Sequence, residues 1–175
     1  VLPVDLEESG EGYDAIVRRF PLGPIAAISP FNFPLNLVAH KLAPALAVGS
    51  TLVLKPAPQT PLTAFLLAEV VTAAGALPGQ FEVVHCQPPE AEQFATDPRP
   101  QMLTFTGSAA VGWHLRSVAG RKRVTLELGG NAASIVHEDA VIDWAVRRST
   151  LGAFAFAGQV CISLQRLYVP DRIYE

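Results

Sequence analysis

Two residues in this sequence have the chemistry of a nucleophile and a base. Cys161 follows Gly158 and Gln159 just past a predicted helix, so its thiol lies in a loop, where hydrogen-bond donors would make it a nucleophilic thiolate. Glu127 stands among apolar residues near the end of a predicted strand, and partial desolvation would make its carboxylate a better base. An inert buried thiol and a structural ion pair are the alternative interpretations of these two positions.

Three more polar residues stand at predicted turns where a ligand would meet them. Asn32 lies between two prolines that fix the backbone, so its amide is a candidate donor, unless it only bonds its own turn. Lys55 follows an apolar strand and is a candidate partner for a phosphate or ribose hydroxyl, or else a solvated lysine. Gly107 and Ser108 open a helix whose free N–H groups suit a pyrophosphate, although an ordinary capped turn has the same composition.

The remaining thiol and imidazoles show no pattern of metal ligation. Cys86 and Cys161 are far apart and form no CxxC pair, so the sequence predicts neither a disulfide framework nor a zinc site. Cys86 is assigned as an inert thiol. His40, His114 and His137 lack ligand spacing and are assigned to structural or surface roles, so no metal site is predicted.

The composition favours a small-molecule protein over a nucleic-acid or membrane protein. The chain has 175 residues with 13 Lys and Arg against 16 Asp and Glu, whereas nucleic-acid binders direct many basic side chains at phosphates. The uncharged stretches 20–40 and 149–165 contain Pro or Gly residues that disfavour a membrane helix. The sequence starts at Val1 with no initiator Met and no signal peptide, so we expect a truncated or processed chain in the cytoplasm.

Short apolar runs alternate with longer helical runs between residues 24 and 128, which is the pattern of a parallel sheet covered by helices. The runs are almost wholly apolar because strands buried on both faces need no polar alternation. The predicted strands are Ile25–Ser29, Thr51–Leu54, Phe81–His85, Met102–Thr106 and Arg123–Leu128. The predicted helices are Leu35–Val48, Pro61–Ala74, Glu90–Ala95 and Ala109–Ala119. Together they predict an α/β, doubly wound, Rossmann-like domain that binds a ligand beyond the carboxyl ends of its strands.

The segments on either side of this domain have a different pattern. Residues 1–23 are predicted to form a hairpin arm, in which Val1–Leu6 and Tyr13–Phe20 flank a polar turn. Residues 129–175 are predicted to begin a second α/β domain that has too little chain to complete a sheet. Its predicted elements are a strand at Ala133–His137, a helix at Ile142–Ala157 and a strand at Arg166–Pro170.

Five motifs, taken in order, resemble those of the aldehyde dehydrogenase superfamily. They are Pro30-Phe-Asn-Phe-Pro34, Lys55-Pro with Gln59-Thr-Pro61, Phe105-Thr-Gly-Ser108, Leu126-Glu-Leu-Gly-Gly130 and Gly158-Gln-Val-Cys161. The resemblance runs from about Arg19 to Val169 and favours a functional role at each of the five residues above. It implies an oligomerisation arm at 1–23, an NAD(P)-binding domain at 24–128 and, at 129–175, the start of a catalytic domain that is cut short, because family members are much longer.

By this resemblance the reaction is oxidation of an aldehyde to a carboxylic acid with NAD or NADP and no metal. Cys161 would attack the carbonyl carbon, Asn32 and the Cys161 backbone N–H would hold the oxyanion, and Glu127 would activate the water that hydrolyses the thioester. The implied cofactor contacts are Ser29, Pro30, Phe31, Lys55, Pro58, Phe105, Thr106, Gly107, Ser108, Leu128 and Gly129. The full-length protein is expected to be a homo-oligomer, a dimer or a tetramer, that binds neither nucleic acid nor membrane.

Departures from the family pattern refine these expectations. Pro58 stands where many members have a glutamate that binds the adenosine ribose hydroxyls, so we expect NADP to be accepted. Phe31 stands where tryptophan is common and Asn131 where lysine is common, and we expect both changes to be tolerated. Glu127 favours hydrolysis over transfer to coenzyme A, because members that make this transfer generally lack the glutamate. The residues expected to line the pocket favour a small or moderately apolar aldehyde: Phe31, Asn36, Phe154, Val160 and Ile162.

Two other functions are compatible with the sequence alone. The first is a non-catalytic nucleotide-binding fragment, which the apolar composition and the incomplete second domain favour. In either case we expect little or no turnover by 175 residues alone. The second is an esterase-like cysteine hydrolase, which would need a histidine base near Cys161, and no motif indicates one.

Overall fold

Five short apolar segments form a parallel sheet in the computed structural model, which describes residues 6–174. The strand order is β3-β2-β1-β4-β5, and each neighbouring pair is parallel. The strands are β1 (Ile25–Ile28), β2 (Leu52–Lys55), β3 (Phe81–Val83), β4 (Met102–Gly107) and β5 (Arg123–Leu128). All five agree with the sequence prediction to within two residues at either end, and the predicted fold class is confirmed.

Helices cover both faces of this sheet, which explains why its central strands are apolar throughout. The helices α1 (Asn36–Ala47) and α2 (Leu62–Ala73) pack on the face that carries Ala27, Leu52 and Leu54. The opposite face, with Ala26, Leu103 and Phe105, is covered by two one-turn helices, α3 (Pro88–Ala91) and α4 (Gln93–Thr96), and by α5 (Ala109–Val118). Ala26 and Ala27 are both fully buried, so adjacent residues of one strand serve two cores.

The prediction of one helix over Glu90–Ala95 is wrong in its bounds. The chain is helical from Pro88, because proline is well suited to the first position of a helix and its missing N–H costs nothing there. The side chain of Glu90 accepts a 2.6 Å hydrogen bond from the backbone N–H of Gln87, which completes the helix start. The helical stretch then divides at Glu92 into α3 and α4.

The chain leaves the two central strands in opposite directions. From β1 it proceeds to β2 and β3, whereas from β4 it proceeds to β5 on the other side. In open α/β sheets a ligand binds where the strand order reverses, outside the carboxyl ends of the strands. This position lies between the loop after Ile28 and the turn after Gly107.

Residues 6–23 differ from the prediction. In this described part of the arm the chain has a 3₁₀ turn at Glu8–Gly10 and no strand, and Val1–Asp5 lie outside the described residues. The prediction of a hairpin strand over Tyr13–Phe20 is therefore wrong for this structure. The side chains of Ile16 and Phe20 are 73% and 79% exposed, and an isolated hairpin without a covering surface is marginally stable at best.

The last part of the chain forms a separate two-stranded parallel sheet from β6 (Ala132–Ile135) and β7 (Leu164–Tyr168), which α6 (Ile142–Phe154) connects. The predicted strands Ala133–His137 and Arg166–Pro170 are each displaced by one or two residues. The predicted helix Ile142–Ala157 is wrong at its end, because α6 stops at Phe154. A 3₁₀ turn follows at Ala155–Gly158, where Phe156 and Ala157 have left-handed φ values of 53° and 55° that an α-helix excludes.

Candidate active site

Asn32 links the loop after β1 to the loop that carries Cys161. Its Nδ2 donates a hydrogen bond to the backbone carbonyl oxygen of Gln159 at 2.8 Å, across 127 positions of sequence. Its Oδ1 is buried and has no hydrogen-bond partner in the described part of the chain. Because an amide nitrogen carries two hydrogens, the bond to Gln159 leaves the second hydrogen for a ligand beside the Cys161 loop.

Two further contacts hold the Cys161 loop. The rings of Phe33 and Phe156 lie with their centroids 4.4 Å apart at an interplanar angle of 57°, and such aromatic pairs are worth about 0.5–1.5 kcal/mol beyond their burial. On the other side of the loop, the Ser163 hydroxyl donates to the carbonyl oxygen of Ala153 at 2.9 Å. The thiol of Cys161 itself is free and exposed, so the loop is anchored while its nucleophile stays accessible.

Glu127 is brought to the same neighbourhood by β5. It is paired with Thr106 of β4 one residue before the end of each strand. A Cβ atom built on Gly130 would lie 3.4 Å from the carbonyl oxygen of Cys161, so Gly130 packs on the nucleophile loop. Gly130 is three residues after Glu127, and three residues of chain span at most ~11 Å. The structure therefore brings the three predicted catalytic residues, Asn32, Glu127 and Cys161, to one edge of the sheet.

The turn after β4 opens α5 with groups that can meet an anion. Ser108 is the N-cap residue with an extended backbone, and its hydroxyl makes no capping hydrogen bond. The N–H of Gly112 donates to the Ser108 carbonyl oxygen at 3.0 Å, which leaves the N–H groups of the first turn of α5 without a helical partner. A Cβ on Gly107 would lie 2.6 Å from Cζ of Phe105, so only glycine fits at this turn.

Three of the predicted cofactor contacts have side chains that point away from the open edge of the sheet. The ring of Phe105 is 4% exposed and lies in the core beneath Gly107. Leu128 packs against the same core, where a Cβ on Gly112 would come within 2.5 Å of its Cδ2. The Thr106 hydroxyl is bonded on the α1 face of the sheet. In this structure these side chains support the turn and the strands instead of facing the open edge.

Lys55 ends β2 as a buried ammonium, since its residue is 5% exposed. Burial lowers its pKa, and a negative charge on the neighbouring Cys86 sulfur would oppose part of that change. Burial likewise raises the pKa of Cys86, which Lys55 partly opposes, so this thiol stays protonated, consistent with an inert role. Ser29 is also buried here and donates its backbone N–H to the Lys55 carbonyl oxygen at 3.1 Å. Pro58 follows in the loop before α2.

Lys41 is a buried cation that the sequence analysis did not select. Its Nζ donates to the hydroxyl oxygens of Thr104 at 3.0 Å and Thr106 at 2.7 Å. Burial lowers its pKa to about 8, and the charge of Glu127 offsets part of that change. The signal in the sequence was helical spacing, because a lysine here shares one face of α1 with apolar residues: Val38, Leu42 and Ala45.

The histidines lie at the surface of the described chain. His114 is 2.6 Å from the Glu92 carboxylate and His137 is 2.8 Å from Asp139, both in exposed pairs. Residues 6–174 contain no group of three His, Cys, Asp or Glu side chains arranged to hold a metal. Nor does any helix within those residues have the length and hydropathy needed to cross a membrane.

The residues predicted to line the aldehyde pocket near Cys161 are mostly exposed. Phe31, Phe154 and Ile162 are 42%, 73% and 78% exposed, and Asn36 is exposed as well, whereas Val160 is partly buried. Side chains of this size rarely remain exposed together without a covering surface. Enclosing a substrate at this place therefore requires further surface on that side.

The sequence of this chain is similar to those of known aldehyde dehydrogenases. The model of the aldehyde dehydrogenase family matches residues 3–175. A 3-sulfolactaldehyde dehydrogenase of Priestia aryabhattai is 45% identical over 174 residues, which are 99% of this chain and 36% of that protein. The NADP(+) succinate-semialdehyde dehydrogenase of Escherichia coli is 44% identical over 163 residues, which are 91% of this chain and 34% of that protein. The chain thus spans about a third of these relatives.

Solved structures share the fold at similar identity. Aldehyde dehydrogenase 21 from Physcomitrella patens, in complex with the reaction product succinate, has a TM-score of 0.91 and 46% identity over 99% of this chain and 36% of its own. A glyceraldehyde-3-phosphate dehydrogenase from Methanocaldococcus jannaschii, complexed with NADP, has a TM-score of 0.85 and 38% identity over 90% of this chain and 36% of its own. Both likenesses extend beyond the five-stranded sheet.

Proposed function

This chain belongs to the aldehyde dehydrogenase family, and we propose that the protein containing it oxidises an aldehyde to a carboxylic acid with NAD or NADP. One observation carries the proposal: Asn32 is bonded to the loop of Cys161 through one amide hydrogen, so its second amide hydrogen can serve a ligand at that loop. Because the chain spans about a third of its relatives, the activity is proposed for a longer protein. The 175-residue chain alone is expected to be inactive.

The carboxyl edge of the sheet fits a dinucleotide. The free N–H groups at the start of α5 and the Ser108 hydroxyl would hold the pyrophosphate. The buried Lys55 ammonium favours an acceptor such as a ribose hydroxyl. Ser29, Pro30 and Phe31 lie on the β1 side of the crevice, and Gly129 follows β5. Pro58 places no carboxylate near the ribose, so a 2′-phosphate meets no repulsion from this position.

Acylation begins at Cys161. Its thiolate sulfur attacks the carbonyl carbon, a C–S bond forms, and the carbonyl electron pair moves to oxygen. The free amide hydrogen of Asn32 and the backbone N–H of Cys161 donate to that oxygen, and one such donor is typically worth ~2.7–4 kcal/mol of barrier. A nicotinamide held at this edge would supply the hydride acceptor, and loss of a hydride from the thiohemiacetal would leave a thioester on Cys161.

Deacylation is assigned to Glu127. Its carboxylate takes a proton from water while the water oxygen bonds to the thioester carbon, and the Cys161 sulfur then leaves as a thiolate. Glu127 is exposed at the end of β5 beside the nucleophile loop, where water can reach it. The presence of this base favours hydrolysis over transfer to coenzyme A.

The substrate we propose is a small or moderately apolar aldehyde. Its support is the side-chain chemistry around the nucleophile, where Phe31, Phe33, Phe154 and Ile162 are uncharged.

The exposed apolar side chains of the arm support a homo-oligomer, a dimer or a tetramer, in which they become covered. Both cysteines are free, and we propose the cytoplasm as the compartment because its thiols are kept reduced.

The test is to trap the acyl group in a full-length protein carrying these residues. The protein is mixed with aldehyde and NAD or NADP and quenched in acid within the first turnover. Its intact mass and the masses of its peptides are then measured. We expect reduced cofactor and an acyl adduct on a Cys161 peptide, with neither in Cys161→Ser and both retained in Cys86→Ser. Turnover that persists in Cys161→Ser contradicts the mechanism. Cofactor binding without reduction would favour a non-catalytic nucleotide-binding protein.

A further inference from the structure

The candidate nucleophile and base lie on two segments that enter the small sheet side by side. The chain from Glu127 continues through the linker Gly129–Asn131 into β6, and the chain from Cys161 continues into β7. Because β6 and β7 are parallel, both entering segments lie at the same edge of that sheet. A Cβ atom on Gly130 would lie 3.4 Å from the Cys161 carbonyl oxygen. The register of β6 against β7 therefore sets where Cys161 lies along the linker.

A β-bulge on β7 interrupts this register. The pairing advances by one residue on β6 while it steps from Leu164 to Arg166 on β7, so Gln165 is an extra residue. Bulges are rare in parallel pairs and frequent next to active sites, where they redirect side chains. Without the bulge, Cys161 would move along the linker by about 3.3 Å, the rise of one residue in a parallel strand. A misplacement of about 1 Å can already slow a reaction about 100-fold.

Arg166, the residue after the bulge, binds the linker from β7. Its Nη2 donates to the carbonyl oxygen of Asn131 at 3.0 Å, across 35 positions of sequence. Its Nη1 donates to the Tyr168 hydroxyl at 3.1 Å, and the guanidinium carbon lies 5.8 Å from the centroid of that ring. Tyr168 thus orients the guanidinium toward Asn131. A hydrogen bond from a charged donor is stronger than a neutral one, so Arg166 clamps the linker onto the bulge.

The two segments differ in what else holds them. The Cys161 loop has its own anchors in the Asn32 hydrogen bond and in the contact between Phe33 and Phe156. Within residues 6–174, the only hydrogen bond from a side chain to the linker is the one from Arg166. Loss of Arg166 would therefore release the linker that follows Glu127 and leave the nucleophile loop in place.

We propose that Arg166 is a positioning residue for hydrolysis, because it keeps Glu127 in register with the thioester carbon on Cys161. The inference rests on the proposed function, since that reaction forms the thioester. Arg166 acts through the backbone of the linker and transfers no proton itself. Acylation needs only the anchored Cys161 loop and the cofactor, so deacylation is the step that depends on Arg166.

The first test measures the placement of the linker in the 175-residue chain, without catalysis. Gly130→Cys combined with Cys86→Ser leaves two thiols, the introduced one and Cys161. Oxidised glutathione is added, and disulfide formation is followed by the loss of two hydrogens from the intact mass. We expect a disulfide to form, and to form about tenfold more slowly when Arg166→Met is added, the effect of losing one hydrogen bond to a charged group.

Arg147→Met is the matched control for this test. Arg147 also donates to a backbone carbonyl, that of Asp143 at 3.2 Å, but within α6. We expect this change to leave the rate of disulfide formation unaltered. The proposal is overturned if no disulfide forms, or if Arg166→Met and Arg147→Met have the same effect on the rate.

The second test separates acylation from deacylation in the full-length protein by rapid mixing. In Arg166→Met we expect a burst of reduced cofactor close to that of the wild type and a steady rate lower by about 10–100-fold. Arg166→Lys should retain part of the steady rate, because an ammonium can still donate to the Asn131 carbonyl, and Arg147→Met should resemble the wild type.

General damage to the fold would lower the burst and the steady rate together, which the positioning role does not predict. A parallel loss of both rates in Arg166→Met, or wild-type values of both, therefore overturns the proposal. Absence of a burst in the wild type refutes the proposed function and with it the hydrolytic role of Arg166, whatever the rate of disulfide formation.

Discussion

Replacing Asn32 by alanine tests whether its amide does more than hold the Cys161 loop. The two hydrogens of the amide nitrogen differ, because one is donated to the Gln159 carbonyl oxygen at 2.8 Å and the other has no acceptor among residues 6–174. Loss of the first removes a neutral hydrogen bond worth about 0.5–1.5 kcal/mol of stability. Loss of the second removes an oxyanion donor, which raises the acylation barrier by ~2.7–4 kcal/mol and slows that step about 10²–10³-fold.

The two losses are measured separately. Urea unfolding of the 175-residue chain reports the stability change, and the burst of reduced cofactor in the full-length protein reports acylation. We expect Asn32→Ala to reduce the burst rate by the factor above, with only a small change in KM. Alkylation of Cys161 by iodoacetamide, followed by peptide mass spectrometry, should change little because the thiol is already exposed.

Phe33→Leu is the matched control for loop order. It removes the ring contact with Phe156, worth a similar ~0.5–1.5 kcal/mol, but leaves the Asn32 amide intact. We expect the control to lose about as much stability as Asn32→Ala and to keep a burst rate within about tenfold of wild type. If Phe33→Leu slows the burst as much as Asn32→Ala, or if neither slows it, the oxyanion role of Asn32 is refuted.

Three further predictions follow from the same structure. Glu127→Gln in the full-length protein should produce one burst of reduced cofactor and then slow turnover, and an unchanged steady rate would refute the base role. The Kd for NADP, measured by calorimetry, should lie within about tenfold of the Kd for NAD. In Pro58→Glu the Kd for NADP should increase, because a carboxylate repels the 2′-phosphate. NADP binding unaffected by this change would contradict the assignment. Gly112→Ala should destabilise the chain by about 1–3 kcal/mol in urea unfolding, since its Cβ would lie 2.5 Å from Leu128. Gly129→Ala, where no atom lies within 4 Å of the added Cβ, is the control, and equal losses in the two variants would show that the predicted clash is absent.

The five-stranded sheet was predictable because its rules are local. A parallel strand covered on both faces must be apolar along its length, and Pro or Gly residues mark where each run stops. The arm was not predictable in this way, since Tyr13–Phe20 has β-type composition but a strand needs a partner to accept its hydrogen bonds. The end of α6 was missed for a similar reason, because the left-handed turn at Phe156 is held by the ring of Phe33, which is distant in sequence.

The sequence by itself determined the fold class and which residue types stand at the strand ends, among them Asn32, Glu127 and Cys161. Only the tertiary structure decided that Asn32 bonds the loop of Cys161 across 127 positions. It also decided that Lys41 lies over Thr106, the partner of Glu127. The physical reason is that hydrogen bonds and desolvation depend on distances of a few ångströms, which chain folding sets and residue order does not.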